Sequence, residues 1–308
     1  MNNFKLFKQK VEEYQDITIF RHTNSDFDAY GSQLGLKHLL KENYPDKNIY
    51  CYGEQDIINP EFIDAMENPS DEIIKQSLSI VLDTSTIDRV TNKFKLAKES
   101  FRIDHHPFTG QVCDNEIIDT DASSASQLVL EAAIENEWSI NIKAAQFIYA
   151  GISTDTVKMT IEKVDSRLFY DLSILLKSGM NVNYVNRMVY DENKELFVAR
   201  NYLRNQIKFV KDVAYLYISL EEMESYKIDL DEAKGCITLM SNIKGINKWV
   251  SFIEDEDHNY YVSLRSHQIP ISDVAIKFGG GGHLLASGIH PVTYKQTKEI
   301  IELLANKE

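Results

Sequence analysis

Short apolar runs alternate with helical patterns through the first half of the chain. Each run has the length and the β-branched or aromatic content of a buried strand. The runs cover residues 17–20, 48–51, 78–82 and a stretch that ends at Ile103. Between and after them, apolar residues recur at helical spacing, for example over residues 34–40 and 123–135. This alternation predicts an α/β fold with a mostly parallel, doubly wound sheet and helices on both faces.

The second half of the chain predicts a smaller α/β domain. Its expected strands are 214–218, 249–253 and 260–265, and a terminal helix is expected from about Thr293. A length of 308 residues also favours two domains over one. We predict a first domain over residues 1–190, a connecting helix over 191–211 and a second domain over 212–308. The second domain is expected to lie across a cleft from the first.

The charge balance limits the partners that this chain can bind. It has 33 basic and 47 acidic residues, which give a net charge of −14. Binding to long nucleic acid depends on many lysine and arginine contacts with phosphate, so this balance disfavours it. A small phosphorylated ligand is still compatible, because bound divalent metal ions can supply local positive charge. In that case several of the acidic residues would be metal ligands.

Cysteine usage and hydropathy indicate a cytoplasmic location. Cys51, Cys113 and Cys236 are far apart and form no C-x-x-C pair. This spacing argues against a disulfide framework or a cysteine zinc site, and it suits a reducing cytoplasm. No apolar run approaches the length of a membrane-spanning helix, and residues 1–10 contain no apolar signal core. We therefore expect a cytoplasmic protein with no membrane partner.

Imidazole and carboxylate side chains follow the ends of the predicted strands. In open α/β sheets, ligands bind at the carboxyl ends of the strands, and imidazole is the commonest metal ligand. The residues are His22, Asp26, Asp28, Asp83, Asp104, His105, His106 and, after a helix that is expected to end near Ala150, Asp155. Each of them alone also suits a helix cap or a turn. Their occurrence in four clusters argues against a set of independent caps.

This set of side chains predicts a pair of divalent metal ions. Mixed carboxylate and imidazole ligands suit such ions, and the absence of a thiolate argues against a structural zinc site. Two ions about 3.5–4 Å apart can share one bridging carboxylate and activate a water molecule for attack on phosphorus. Spacing alone does not assign a ligand to one ion or to the other.

Four consecutive glycines, residues 279–282, precede His283 near the end of the chain. A lone glycine run is typical of a flexible connector. Glycine also lets backbone N–H groups approach a phosphate closely, as in other anion-binding loops. Arg265, at the end of an expected strand, is a candidate guanidinium partner for that phosphate, although exposed arginines at strand ends are common without a ligand.

Taken in order, these motifs resemble the DHH phosphoesterase superfamily. The first half carries His22-x-x-x-Asp26-x-Asp28, Asp83-Thr84, Asp104-His105-His106 and Thr154-Asp155-Thr156. The second half carries Gly280-Gly281-Gly282-His283 and Ala286-Ser287-Gly288, which resemble the DHH-associated domain. Within the superfamily the chain looks like the branch of nanoRNases, pAp phosphatases and linear pApA phosphodiesterases. None of its departures from the family pattern removes a metal ligand.

The resemblance implies two manganese ions, with magnesium or cobalt as other divalent candidates. It implies that the first ion is held by His22, Asp26 and Asp83, and the second by Asp28, Asp83, His105 and Asp155. It also implies that His106 contacts the scissile phosphate or its leaving group and that Asp104 orients a histidine. The substrate phosphate would be bound by Arg265, Gly280, Gly281, Gly282 and His283.

The leading hypothesis is a manganese-dependent phosphohydrolase that degrades very short oligoribonucleotides and linear dinucleotides such as pApA to mononucleotides. A further candidate substrate is 3′-phosphoadenosine 5′-phosphate. Cleavage of cyclic di-AMP and hydrolysis of inorganic pyrophosphate stay open as alternatives. A non-catalytic nucleotide sensor would need a broken ligand set, and no ligand position is missing. The expected partners are short RNA or dinucleotides rather than long nucleic acid, and a homodimer is one hypothesis for the oligomeric state.

Overall fold

A separate β-sheet organises each half of the chain. The computed structural model describes residues 3–54, 61–161 and 163–307. The chain divides into two units, Met1–Asp191 and Glu192–Glu308. The segment predicted as a connecting helix, residues 191–211, contains a helix, α8 Lys194–Asn205, but its residues 208–210 form a strand. Ala199 and Leu203 of α8 are buried in a core of the second unit.

The first unit contains a five-stranded parallel sheet with the strand order β2-β1-β3-β4-β5. Its strands are β1 Asp16–Phe20, β2 Asn48–Tyr52, β3 Leu78–Leu82, β4 Glu99–Asp104 and β5 Asn115–Ile118. The predicted parallel sheet is confirmed. The short edge strand β5 was not predicted, because its four residues include two polar ones and carry no clear apolar period.

Helices cover the two faces of this sheet unequally. They are α1 Phe4–Glu13, α2 Phe27–Asn43, α3 Asp71–Ile74, α4 Ala125–Glu135, α5 Ile142–Asp155, α6 Ser166–Leu176 and α7 Val182–Tyr190. Strand residues such as Ile19 and Ile80 pack with α1, α2, α4 and α5 into the larger core. Phe20 and Val81, which point to the opposite face, pack beneath the short helix α3 and two 3₁₀ turns, Ile87–Arg89 and Asn92–Leu96.

The strand order fixes where a ligand can bind in this unit. The chain runs from β1 outward to β2 and then returns to form β3 on the other side of β1. The carboxyl ends of β1 and β3 therefore flank the point where the order of the strands reverses, which is where open α/β sheets form a ligand crevice. His22 and Asp83 follow these two strand ends directly.

The second unit contains a six-stranded sheet with the order β10-β11-β9-β8-β7-β6, in which β7 and β8 are parallel and the other neighbours antiparallel. Its strands are β6 Lys208–Val210, β7 Val213–Ile218, β8 Lys248–Glu254, β9 Tyr260–Ser266, β10 Gly281–His283 and β11 Ala286–Val292. Its helices after α8 are α9 Leu220–Tyr226, α10 Leu230–Gly235, α11 Ser272–Lys277 and α12 Tyr294–Ala305. Two apolar cores, one with α8 to α10 and one with α11 and α12, pack against the sheet.

Two element boundaries differ from the sequence prediction. The helix expected to end near Ala150 continues as α5 to Asp155, so the predicted break at Gly151 is wrong. Gly151 is needed for close packing rather than for ending a helix, as described below. The second half of the glycine run is not a loop, because Gly281 and Gly282 begin the edge strand β10, whereas Gly279 and Gly280 lie in the turn before it. Among the described helices, none is both long and apolar enough to cross a membrane.

Candidate metal centre

Six candidate ligands, drawn from all four sequence clusters, lie close together in the first unit. They fall into two groups whose potential ligand atoms lie within 4.8 Å of one another: His22, Asp26 and Asp83, and Asp28, His105 and Asp155. Asp83 also groups with His105 and His106. These groups match the two ligand sets that the family resemblance implies, although the assignment of each residue to an ion stays a prediction.

The first group forms where β1 ends and α2 begins. The Nε2 atom of His22 lies 3.3 Å from Oδ2 of Asp83 and 3.8 Å from Oδ1 of Asp26. Asp26 is also the N-cap of α2, and its Oδ1 accepts hydrogen bonds from the backbone N–H groups of Asp28 and Ala29. The capping explanation for this aspartate is therefore correct, and the same carboxylate still faces His22.

The second group brings three distant segments together around His105. Its Nε2 atom lies 3.8 Å from Oδ2 of Asp28 and 3.4 Å from Oδ2 of Asp155. Asp28 lies in the first turn of α2, whereas Asp155 is the last residue of α5. Asp26 and Asp28, which extended backbone would place on one face, therefore belong to different groups because the helix begins between them.

Asp83 lies between the two groups. Its Oδ1 atom is 3.5 Å from Nε2 of His105, while its Oδ2 atom faces His22. The Asp83 backbone has a φ of 52°, a left-handed conformation that costs most residues free energy but that Asp and Asn tolerate best. This conformation is consistent with a carboxylate held at a functional position at the end of β3.

Asp104 contacts His106 rather than His105 through its side chain. Its Oδ1 atom lies 2.8 Å from Nδ1 of His106 and accepts hydrogen bonds from the backbone N–H groups of His105 and His106. With Nδ1 as the donor to Asp104, the Nε2 atom of His106 is left to act on another group. The predicted role of Asp104 in orienting a histidine therefore applies, by this geometry, to His106.

His22 and His105 both have raised pKa values. Burial opposes the charged form of His22, but contact with the carboxylates of Asp26 and Asp83 outweighs burial and raises its pKa to about 10. Burial is likewise outweighed at His105, where contact with the Asp83 carboxylate and the charge of Asp28 raise the pKa to about 9. The surrounding carboxylates thus favour positive charge at both positions.

The pKa values of the carboxylates in the site shift in different directions. Burial and the charges of Asp83 and Asp155 raise the pKa of Asp28 well above its ordinary value. Burial, together with the charges of Asp83 and Asp26, raises the pKa of Asp155 to about 6, even though His105 opposes the rise. At Asp83 burial is outweighed, because close contact with the imidazoles of His105 and His22 holds its pKa below the usual range. Several carboxylates buried this close together require compensating cations.

The side chains of the site fit divalent metal ions. They offer only carboxylate oxygen and imidazole nitrogen, the donors that manganese, magnesium and cobalt accept. Two buried polar atoms of candidate ligands, Oδ1 of Asp83 and Nδ1 of His105, have no hydrogen-bond partner within the described part of the chain. An unpartnered buried carboxylate oxygen is costly, and coordination of a cation would satisfy it. The residues present could therefore hold a metal centre.

Two supports of the site were missed by sequence reasoning. Asp28 accepts hydrogen bonds of 2.7 and 2.9 Å from the backbone N–H groups of Ala125 and Ser126, at the positive N-terminus of α4. Arg102, fully buried in β4, donates to the carbonyl oxygens of Thr84 and Ser85 and so fixes the segment after Asp83. The role of Arg102 could have been suspected from the sequence, because it is an arginine inside an apolar strand pattern. No sequence signal pointed to the hydrogen bonds between Asp28 and α4.

Gly151 is the third missed element, because it makes room for Asp28. A Cβ atom at position 151 would lie 2.0 Å from Oγ of Ser126 and 2.8 Å from Oδ1 of Asp28. A Cβ at Gly31, on the facing helix α2, would lie 2.9 Å from the Cα of Gly151. The two glycines therefore let α2 and α5 approach closely beside the second group of ligands.

We predict that Gly151→Ala destabilises the protein by about 1–3 kcal/mol, the usual cost of overpacking a filled core. Displacement of Asp28 should also lower the metal content of the purified protein. Thermal unfolding and elemental analysis measure the two effects. Gly235→Ala is the control, because a Cβ there meets no atom within 4 Å. Equal stability and equal metal content in the two variants would contradict the packing role of Gly151.

In the second unit, Arg265 and His283 lie in one row of the sheet. Arg265 on β9 is opposite Ala286 on β11, which is opposite His283 on β10. Directly opposite residues share a face, so Arg265 and His283 are on the same face, about 10 Å apart across two strand spacings. The Arg265 guanidinium donates to the carbonyl oxygens of Leu264 and Ser287.

The hairpin itself requires two of the four glycines. A Cβ at Gly280 would lie 2.2 Å from the carbonyl oxygen of Gly288, and one at Gly282 would lie 2.6 Å from that of Ala286. Gly282 also has a φ of 137°, which favours glycine. At Gly281, by contrast, a Cβ would meet no atom within 4 Å. Packing against β11 therefore explains Gly280 and Gly282 but not Gly281.

The fold and the site together define an α/β protein with carboxylate and imidazole groups that could hold metal ions, and comparison with known proteins gives its family. Residues 16–152 match the DHH family, N-terminal domain, and residues 211–307 match the DHHA1 domain. The chain therefore belongs to the DHH family of phosphoesterases, and the resemblance seen in its sequence motifs is confirmed.

Relatives align with this chain over nearly its full length. A probable bifunctional oligoribonuclease and PAP phosphatase NrnA of Streptococcus mutans is 30% identical, with 99% of each chain covered. The bifunctional oligoribonuclease and PAP phosphatase NrnA of Bacillus subtilis is 29% identical, with 94% of each chain covered. The crystal structure of an exopolyphosphatase-related protein from Bacteroides fragilis has a TM-score of 0.87 at 25% identity, over 98% of this chain and 95% of that one.

Proposed function

We propose that the protein is a metal-dependent phosphohydrolase that degrades very short oligoribonucleotides and linear dinucleotides such as pApA to mononucleotides. We further propose that it removes a phosphate from 3′-phosphoadenosine 5′-phosphate. The observation that carries the proposal is the juxtaposition, at the switch point of the sheet, of the two groups of three ligands. Full-length relatives named as oligoribonucleases and PAP phosphatases support this choice of substrate class.

Two manganese ions are the proposed cofactors. His22 and Asp26 would hold one ion, Asp28, His105 and Asp155 would hold the other, and Asp83 would contact both. When bound, such ions polarise a phosphoryl oxygen and lower the pKa of a bound water molecule. Support for the bridging role of Asp83 comes from its two oxygens, which face His22 and His105 respectively.

His106 and Asp104 would act on the substrate without holding an ion. Because Asp104 accepts from Nδ1 of His106, the imidazole is fixed in one orientation with its Nε2 atom free. When the imidazole carries a proton on both nitrogens, the Nε2–H group can donate a hydrogen bond to the scissile phosphate or to the leaving oxygen. Replacement of Asp104 by asparagine would allow the wrong tautomer, so this carboxylate positions the group that contacts the substrate.

Residues of the second unit would bind the substrate away from the scissile bond. We propose that the guanidinium of Arg265, the glycine segment of residues 280–282 and the imidazole of His283 bind a substrate phosphate. The backbone N–H group of Gly280 donates to the carbonyl oxygen of Ala275, so it is not one of the proposed donors. Gly281 supports this role, since the hairpin itself does not require a glycine there. Substrate length would then be limited, because the net charge of −14 leaves little capacity to track a long phosphate backbone.

We predict that Gly281→Ala raises KM for pApA about 10-fold or more while the free energy of unfolding stays unchanged. The added methyl group would hinder a phosphate that approaches the backbone N–H groups, but it would meet no protein atom within 4 Å. Steady-state kinetics and chemical denaturation measure the two quantities. Gly282→Ala is the matched comparison, and it should lose stability as well. An unchanged KM for Gly281→Ala would remove the glycine run from the substrate site.

A comparison of initial rates tests the proposed function. The substrates are pApA, RNA chains of 2 to about 20 nucleotides, and 3′-phosphoadenosine 5′-phosphate. Inorganic pyrophosphate and cyclic di-AMP represent the two enzymatic alternatives. We expect mononucleotide release from dinucleotides and other very short RNAs, with rates that fall sharply for chains of about ten nucleotides or more. Equal rates on dimers and 20-mers, or turnover of pyrophosphate alone, would overturn the proposal.

Three free cysteines, all buried, are consistent with the cytoplasmic location that we propose. The homodimer is still a hypothesis, and a measurement of molecular mass in solution would test it.

A further inference from the structure

Arg89 lies beside the candidate metal centre but is neither a proposed metal ligand nor one of the substrate-binding residues proposed above. It ends the 3₁₀ turn Ile87–Arg89, which follows β3 and Asp83. Its carbonyl oxygen accepts hydrogen bonds of 2.7 Å from the backbone N–H and 3.2 Å from the hydroxyl of Thr23. The turn is thereby attached to the segment that carries His22. An arginine is consequently held at the switch point between β1 and β3.

The guanidinium of Arg89 and the carbonyl oxygen of Thr23 both lie within hydrogen-bonding distance of the same atom, Nδ1 of His22. Its Nη2 atom lies 3.2 Å from Nδ1 of His22, and the same Nδ1 atom lies 2.8 Å from the carbonyl oxygen of Thr23. A neutral imidazole nitrogen either accepts a hydrogen bond or donates one. Nδ1 of His22 can therefore accept from Arg89 or donate to Thr23, but a single tautomer cannot do both.

A metal ion on Nε2 of His22, and a proton on that atom in the charged imidazolium, decide between these two partners in the same way. If Nε2 of His22 coordinates an ion, its lone pair faces the ion and the ring hydrogen is on Nδ1. The Nδ1–H group then donates to the carbonyl oxygen of Thr23, at the shorter of the two distances. The N–H group of Arg89 would face another N–H group, so the guanidinium would lose its acceptor on His22.

Few other groups can take over as a partner of Arg89. Within the described ranges, no carboxylate forms an ion pair with its guanidinium, and the side chain is exposed. Other arginines of the first unit, such as Arg102 and Arg167, pair with glutamates. A guanidinium without a carboxylate, in a protein with a net charge of −14, is available for an anion from outside the chain.

We propose that Arg89 is a substrate-binding residue, whose guanidinium binds an anionic phosphate oxygen of the nucleotide once His22 coordinates metal. The proposal rests on the proposed function, since it takes the substrate to be a phosphate ester. The planar guanidinium presents paired N–H donors that match phosphate oxygens, which a lysine ammonium does not. Arg89 thus supplies a positively charged phosphate contact from the same unit as the metal ligands.

The test measures binding of adenosine 5′-monophosphate to manganese-loaded protein by calorimetry. The variants are Arg89→Ala and Arg89→Lys, with Lys95→Ala as the control. Lys95 is exposed on the neighbouring 3₁₀ turn, so its removal changes the local charge equally without touching His22. Manganese content is measured by elemental analysis and folding by thermal unfolding, so the readouts do not depend on activity.

We expect Arg89→Ala to weaken nucleotide binding about 10- to 100-fold, the range for loss of a charge-assisted hydrogen bond. Its manganese content and unfolding temperature should equal those of the wild type. Arg89→Lys should restore part of the affinity, and Lys95→Ala should change it less than twofold. In turnover assays, KM should rise more than kcat falls.

Three results would overturn the inference. Nucleotide affinity could be unchanged in Arg89→Ala, or it could be undetectable in the wild type. Manganese content could also fall together with affinity in Arg89→Ala, which would show that Arg89 supports His22 rather than the substrate. Failure of the proposed function would give a different result from failure of the inference about Arg89. In that case wild-type protein would bind the nucleotide but release no mononucleotide from pApA.

Discussion

Replacement of Asp83 by asparagine is expected to lower the rate of pApA hydrolysis by about a thousandfold or more. The two oxygens of Asp83 face His22 and His105 respectively, so the loss of this carboxylate would affect both proposed ions. A positioned pair of metal ions with its activated water accounts for a large part of the acceleration in such hydrolyses. Single-turnover kinetics and metal content measure the effect.

Asparagine is chosen over alanine for a structural reason. The left-handed backbone at Asp83, with a φ of 52°, is tolerated by asparagine but strained by alanine. Asp83→Asn therefore removes the charge while it keeps the shape and the backbone preference. Asp88→Asn, on the exposed turn that follows, is the control and should keep its activity. Near-normal turnover and full metal content in Asp83→Asn would show that this residue bridges no ions.

Exhaustive removal of divalent metal is expected to abolish activity, and added manganese is expected to restore it. Burial and the charges of neighbouring carboxylates raise the pKa values of Asp28 and Asp155, so these side chains favour a bound cation. Loss should exceed a thousandfold, because the nucleophilic water depends on the ions. Activity before and after dialysis against a chelator, with elemental analysis of each sample, measures it.

An oxidant serves as the control for this experiment. The proposed ligands are oxygen and nitrogen atoms only, and Cys51, Cys113 and Cys236 are buried away from solvent. Mild oxidation of the manganese-loaded protein should therefore leave its rate unchanged. Full activity in protein shown to be free of metal would contradict the metal-dependent mechanism.

The sequence predicted the parts of the site that depend on the parallel sheet. Each buried strand shows as an apolar run, and the residue after the run must lie at the carboxyl edge of the sheet. His22, Asp83 and the Asp104-His105-His106 cluster were placed together on this basis alone. The alternation of strands and helices likewise predicted the doubly wound topology, because a parallel sheet needs helical crossovers.

The remaining features depend on contacts between distant segments, which no local pattern encodes. Asp155 was expected after a helix break, but Gly151 serves helix packing, and Asp155 closes α5. The hydrogen bonds from α4 to Asp28 join residues almost a hundred positions apart. The glycine run was read as a phosphate loop or a connector, yet residues 281–283 pair with β11.

The most direct test of the two-metal proposal is a manganese titration of metal-free protein. The number of ions bound per chain and the rate of pApA hydrolysis are both measured at each step. We expect the rate to stay near zero while the first ion binds and to rise as the second one binds, to a plateau at two ions per chain. Such a curve would show that both groups of ligands must be filled before hydrolysis proceeds. Full activity with one ion per chain, or no hydrolysis of pApA with two, would contradict the two-metal proposal.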